Sequence, residues 1–314
     1  MKKILKNKRP TDFKTKVRKF FFGTHVTDSL FTKIAIYTLL ISIGFLYIYP
    51  MLYMLSNSLK SQSDIVNPMV NWVPTSLYFG NYERAFSVLN YFPTLWKSMF
   101  VTFLPALIQT LVTAVIGYGF AKFDFKLKKM WFVLVLLTFV IPVQVYMIPR
   151  YVMFFNLDLL ESPLSIILPA TFGQGINSAI FVLIFYQFFR MIPNSINEAA
   201  EIDGAGPYYI FFKIGVPLAG PAFITSFLFG LVWYWNETYI SSLFLGSAYP
   251  NMQLRLANFV SEYTQIYASD ELLRINEGVR LAATLLIILP MLIIYFTIQR
   301  WFVEGVEKTG VTGE

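Results

Sequence analysis

Long uncharged runs alternate with short charged punctuation along this chain. Six uncharged intervals, 34–59, 98–121, 130–149, 162–189, 214–236 and 281–299, are mostly apolar. About 20 such residues in helical form cross about 30 Å of hydrocarbon, so the pattern predicts six membrane-spanning helices and an all-α integral membrane fold. Two other uncharged intervals fit poorly. Residues 65–82 hold two prolines and three asparagines, and 238–254 are broken by Ser241, Ser242, Gly246, Ser247, Pro250 and Asn251; both predict external loops. Pro50, Pro105, Pro142, and Pro169 with Gly173 and Gly175, interrupt the first four crossings. Backbone groups freed inside a bilayer must be satisfied by neighbouring helices or water, so these breaks point to a packed bundle around a cavity.

Charge then orients the pattern. Six crossings place both termini on one side, and with that side cytoplasmic the Lys and Arg residues divide 18 inside to 7 outside. The inside set is ten residues within 1–33, then Lys122, Lys126, Lys128, Lys129, Arg190, Lys213, Arg300 and Lys308; the outside set is Lys60, Arg84, Lys97, Arg150, Arg255, Arg274 and Arg280. That is the bias of a multi-pass membrane protein, and it explains the net charge of +7 without nucleic acid. With 56% hydrophobic and 14% charged residues, the composition agrees; soluble domains carry roughly a quarter charged residues. Residues 1–33 read as a retained basic tail rather than a cleaved leader. Phe13, Val17, Phe20 and Phe21 lie in it at helical spacing, consistent with either an interfacial helix or a disordered tail. The predicted organisation is this tail, a six-helix domain over 34–302, and a second cytoplasmic tail over 303–314.

One polar island interrupts the second half, Asn197–Pro221. Ser195 with Glu198 predicts a capping box opening a helix. Ala199 and Ala200 permit close approach to a partner surface. Asp203-Gly204-Ala205-Gly206 is turn chemistry, with Gly204 suited to positive φ. Pro207 suits the first position of a second helix, whose apolar side is Tyr208, Ile210, Phe211 and Ile214. The island reads as a rigid docking piece or, more blandly, a structural loop. With the single cation Lys213, it is a poor nucleic-acid reader.

These residues closely resemble the cytoplasmic coupling-loop signature of bacterial ABC importer permeases. Glu198-Ala199-Ala200, Asp203-Gly204-Ala205, Ile214, Pro217-Leu218 and Pro221 match it without a gap. Asn57-Ser58-Leu59-Lys60, Trp235-Asn236-Glu237 and Gln299-Arg300-Trp301-Phe302-Val303 with Gly305 resemble the carbohydrate-uptake branch, in particular the six-helix subunit typified by the smaller maltose-system permease. The resemblance implies a type I importer fold and a transmembrane subunit forming half the pathway for a carbohydrate, an oligosaccharide by expectation. It implies a homologous second permease, two ATP-binding subunits and an extracellular solute-binding protein as partners, in the bacterial plasma membrane. Glu198, Ala199, Ala200, Asp203, Gly204 and Ala205 would engage an ATPase groove. The tail after Arg300, with Gly305, Gly310 and Gly313, would reach between the ATPases. Segment 245–277, with Tyr249, Phe259, Tyr263 and Tyr267, would meet the binding protein or simply be exposed.

No phosphate-binding GxxxxGK[ST] sequence occurs, so no cofactor is expected on this chain, and ATP and Mg are expected on the partner subunits. The absence of cysteine and the single histidine, His25, exclude disulfides, thiolate chemistry and a Ser/His/Asp catalytic set. Neither a catalytic nor a metal site is expected. Polar and aromatic residues at membrane depth usually face a cavity or another helix. The candidates for the substrate path are Gln144, Gln174, Asn177, Trp233, Trp235, Asn236 and Glu237, with interhelical bonding the alternative for the last two. Gln109 is a further candidate, and for both Gln109 and Gln144 packing is the favoured alternative to ligand contact. Competing functions are a permease for a non-sugar solute and an ion-coupled secondary transporter, which would want intramembrane acids or inverted repeats; Glu237 is the one candidate acid within a crossing.

Overall fold

The computed structural model describes residues 30–267 and 275–311. The basic tail and His25 therefore lie almost wholly outside the described residues. Among those residues the chain is helical without strands. It divides into two compact units, the first ending at Tyr78.

In the first unit, α1 (Leu30–Ser58) contains Pro50 and is followed by the short α2 (Gln62–Val66). The predicted loop beyond it is pinned. Lys60 Nζ donates to Asn57 Oδ1, Val70 O and Asn71 O at 2.7–3.0 Å. Asp64 accepts from Thr75 N (3.0 Å) and Thr75 Oγ1 (2.7 Å). A buried ammonium needs several acceptors, and the loop's carbonyls supply them.

The second unit runs α3 (Gly80–Val88), α4 (Tyr91–Lys122), α5 (Lys128–Val140), α6 (Val143–Asn156), α7 (Leu164–Thr171) and α8 (Ser178–Met191). The polar island follows as α9 (Asn194–Ile202), α10 (Pro207–Ile210), a π-turn at Phe211–Gly215, and α11 (Val216–Leu218). Then come α12 (Gly220–Asn236), α13 (Tyr239–Phe244), α14 (Met252–Ala257), α15 (Phe259–Ile266) and α16 (Glu277–Val311). Among the described residues three helices, α1, α4 and α16, are long and apolar enough to cross a membrane, and there are up to six crossings if each bent pair counts as one. Proline and glycine breaks account for the difference. Between α5 and α6 the chain turns by 94° at Ile141–Pro142. The interval 162–189 is α7 and α8 separated by residues 172–177, with Gly173 at φ +69° and Asn177 at φ +53°. The expected fourth crossing is thus not one continuous helix.

α4 is the central element. Its 32 residues rise about 48 Å, well beyond the hydrocarbon thickness. It packs against α8 so closely that a Cβ on Gly117 would lie 2.6 Å from Phe185 Cβ. On α12, Gly230 lies against Ala106, where an added Cβ would be 3.2 Å from Ala106 Cβ. Small residues at crossings are how helices associate where lipid is as apolar as their side chains. One apolar core joins Ala114, Tyr118, Phe185, Phe189, Phe211, Ala219 and Ala222 near the polar island. Another joins Ala85, Trp235, Phe259, Tyr263, Ala282 and Ala283 at the opposite end of α12.

The stretch after Arg300 that holds Gly305 and Gly310 is helical, since α16 continues to Val311. One expectation needs correction here. Phe259 and Tyr263, expected as exposed contact aromatics, are 2% and 1% exposed and belong to the core. Both lie on α15 at i and i+4, so they share its inward face, where their area is worth most.

Candidate functional site

Local geometry builds the polar island as follows. α9 ends in a Schellman arrangement, with Gly204 N donating to Glu201 O (3.0 Å), Ala205 N to Ala200 O (2.9 Å), and Gly204 at φ +85°. A left-handed residue at this position favours glycine. Pro207 then opens α10 after Gly206. Glu198, Ala199, Asp203 and Gly204 are exposed, and Ala200 and Ala205 are half-buried. Ile202 and Tyr208 are 86% and 82% exposed.

The expected capping box is absent. α9 starts one residue earlier than Ser195, after Pro193, and no side chain caps it. A lysine from another helix does related work. Lys122 Nζ donates to Ile192 O (2.7 Å) and Asn194 Oδ1 (3.2 Å), fastening the entry of α9 to the end of α4. The exit is fastened to the same helix, since Tyr118 packs on Phe211 and Phe189 with centroids 4.8 and 5.0 Å away. Tyr208 does not join that apolar side: Ile210 at the end of α10 and Phe211 at the start of the π-turn are buried, whereas Tyr208 is exposed.

A second polar site lies higher on α4. Tyr234 Oη donates to Gln109 Oε1 (2.6 Å), Gln109 Nε2 donates to Ile176 O (2.7 Å), and Ile176 N donates to Tyr234 Oη (3.3 Å). This closed ring ties the irregular segment 172–177 to α4 and α12. Gly175 sits inside it, and any Cβ there would run into Gln109 Oε1 and the Tyr234 hydroxyl. Buried polar groups left unpaired are costly, so the ring is a structural knot, in line with the packing reading of Gln109.

The knot supports one wall of a cavity of about 760 Å³. Its lining brings together Gln144, Gln174, Asn177 and Glu237 of the expected path residues, which are separated by up to 93 positions in the chain. It adds Tyr146, Arg150 and Tyr239, which were not singled out as path residues. Arg150 Nη2 donates to Gln174 O (3.1 Å), and its guanidinium lies 5.8 and 5.7 Å from the Tyr146 and Phe154 ring centroids. Glu237 Oε1 accepts from Ile240 N (2.6 Å), capping the turn into α13. The Ile-Pro-x-x-x-x-x-Ile-Pro-Arg run, broken at Pro142, was the available signal for Arg150; topology had placed that arginine outside.

The other three candidates stand elsewhere. Trp233 packs on Phe181 and Phe229, with centroids 5.1 and 5.9 Å away. Trp235 is 3% exposed in the core. Asn236 Nδ2 bonds back to Val232 O (2.9 Å) beside an apolar groove with Trp235 and Tyr295. On a helix, consecutive residues point 100° apart, so 233–236 face different surroundings despite their adjacency. Among the described residues no group of His, Cys, Asp and Glu is arranged to hold a metal ion.

Comparison with known proteins follows the same lines. Residues 113–308 match the family described as binding-protein-dependent transport system inner membrane component. The chain is 28% identical over 285 residues to the arabinooligosaccharides transport system permease protein AraQ of Bacillus subtilis (strain 168), covering 90% of this chain and 96% of that one. It is 28% identical over 269 residues to the lactose transport system permease protein LacG of Rhizobium radiobacter, covering 86% and 93%. Its fold is shared with a chain in the crystal structure of a bacterial ABC transporter involved in the import of the acidic polysaccharide alginate, with TM-score 0.73 and 22% identity over 86% of this chain and 96% of that chain.

Proposed function

The chain belongs to the family of binding-protein-dependent transport system inner membrane components, and from that premise we propose how it works. It is the permease subunit of an ATP-driven carbohydrate importer, forming half of the transport path. ATP hydrolysis falls to separate subunits, with ATP and Mg bound there, and a second permease and an external solute-binding protein complete the assembly. The N-terminal end of α1 and the island α9–α11 face the cytoplasm.

The observation that carries the coupling role is the bracing of α9. It is exposed along Glu198, Ala199 and Asp203, yet its entry is fixed to the last turn of α4 by Lys122, and the π-turn that closes the island packs through Phe211 on Tyr118 of the same helix. A push or pull on α9 is therefore a push on α4. From Lys122 to Gln109 the helix runs about 20 Å, and at Gln109 it meets the knot that holds the cavity wall. Closure of an ATPase dimer on α9 would move α4, α8 and α12 together and change access to the cavity. Rigid helices with discrete packing arrangements are what such coupling requires.

The test replaces Glu198 or Gly204 by tryptophan and purifies the assembled transporter. The expected result is loss of ATPase co-purification, or of substrate-stimulated hydrolysis, with the permease still folded. Full retention of both would sink the coupling assignment.

A further inference from the structure

The cavity holds a guanidinium that has no acidic partner among the described residues. Arg150 makes one hydrogen bond there, to the Gln174 carbonyl, and lies against the Tyr146 and Phe154 rings. The salt bridges among the described residues are Lys128–Asp124 and Arg255–Glu262. Neither involves Arg150. Glu237, the acid lining the same cavity, gives its Oε1 to the Ile240 amide and lies beyond ion-pair distance of Arg150. A cation within or at the edge of a membrane segment, without an acidic partner, is costly and marks a transport path.

The chemistry of the rest of the lining narrows what it waits for. A guanidinium has five N–H donors in a planar fork that matches a carboxylate, and the attraction strengthens where water is scarce. Gln144, Gln174 and Asn177 bring amides suited to hydroxyl groups, and Tyr146 and Tyr239 bring ring faces suited to a sugar ring. Two aromatic contacts and the Gln174 carbonyl hold Arg150 in place, so a ligand does not have to order it first.

We propose that Arg150 is the anion-reading residue of this cavity, and that the saccharide passing through it carries a carboxylate, as a uronate does. The proposal rests on the carbohydrate-permease reading and adds the substrate's charge. Sulfate esters share the oxyanion chemistry and serve as the comparison arm.

The experiment uses the complete transporter with its binding protein in proteoliposomes. Uptake and ATP hydrolysis are measured with an α-1,4-linked galacturonate trisaccharide, the neutral galactose trisaccharide and a sulfated galactose trisaccharide, in wild type, R150Q and R150K. Wild type is expected to take up the galacturonate trisaccharide in preference. R150Q is expected to lower that rate about ten-fold or more at saturating binding protein, the scale of one charge-assisted hydrogen bond. R150K should restore part of the rate. Free galacturonate should slow wild-type uptake of the acidic trisaccharide, a readout that needs no variant. Preference for the neutral sugar, or equal rates in R150Q and wild type, would overturn the proposal while leaving the permease reading intact. Preference for the sulfated sugar would overturn the carboxylate assignment. Hydrolysis uncoupled from every saccharide would overturn both readings.

Discussion

The knot at Gln109 and the island at α9 are both polar interruptions in an apolar chain, yet they are built in opposite ways. In the knot every polar group is turned inward: Gln109 is fully buried, and its amide, the Tyr234 hydroxyl and the Ile176 backbone satisfy one another. In the island the side chains of Glu198 and Asp203 face solvent, and only the two ends are held, by Lys122 and Tyr118. Polar residues therefore serve the fold in one place and are left available in the other. Composition does not distinguish the two cases; the packing partner does. α4 carries both, and that shared helix is what makes them parts of one device.

Substitutions should separate the two regions by what they damage. The largest effect is expected from Gly175→Val, which drives a side chain into Gln109 and Tyr234. It should destabilise the permease by roughly 3 kcal/mol or more, read as lost assembly in size-exclusion chromatography and a lower Tm. Next is Tyr234→Phe, which leaves Gln109 Oε1 without its donor and should cost roughly 1–3 kcal/mol. Combined with Gln109→Leu it should be less damaging than the sum of the single changes, because Gln109 Oε1 is then no longer buried without a donor, although the Ile176 amide and carbonyl lose their partners; strict additivity would show that the ring does not act as a unit.

The island should respond in function rather than stability. Gly204→Val puts a β-branched residue at φ +85° and should cost roughly 1–2 kcal/mol locally. Thermal stability of the whole permease should hardly move while sugar-stimulated ATP hydrolysis falls. Lys122→Met should lower that stimulation several-fold with assembly retained, since it frees the entry of α9; unchanged stimulation would show that Tyr118 and Phe211 suffice to brace the loop. The smallest effect is expected from Asp124→Asn. Its partner Lys128 lies at 3.1 Å, but the aspartate side chain is fully exposed, and solvent-screened pairs contribute little. No change in Tm or coupling is expected.

Much of this was legible along the chain. Helical crossings, the loop 65–82 and the turn at Gly204 follow from local rules: apolar length, proline and asparagine content, and a glycine where φ is positive. Polar candidates were legible as a class, but not which of them share a cavity. Gln144, Gln174, Asn177 and Glu237 share the cavity, whereas Trp233, Trp235 and Asn236, equally plausible by type, pack elsewhere. Periodicity could sort neighbours on α12 only if the direction of its cavity-facing side were known. Arg150 was counted only as an outside cation, because a charge count assigns a side and says nothing of what a side chain lines.

The sequence by itself determined where the chain can cross lipid and where it must turn, because in a bilayer every backbone group needs a partner close by in the chain or a break to release it. It also determined the punctuation of α9, whose capping glycine and following proline act within a few residues. Only the tertiary structure decided that Lys122 replaces a capping side chain, that Gln109, Ile176 and Tyr234 close into a ring, and that Arg150 stands in a cavity with four of the expected polar residues. Those meetings depend on how far the chain turns at its breaks, 94° at Pro142 among them. Such angles are set by packing between helices distant in sequence.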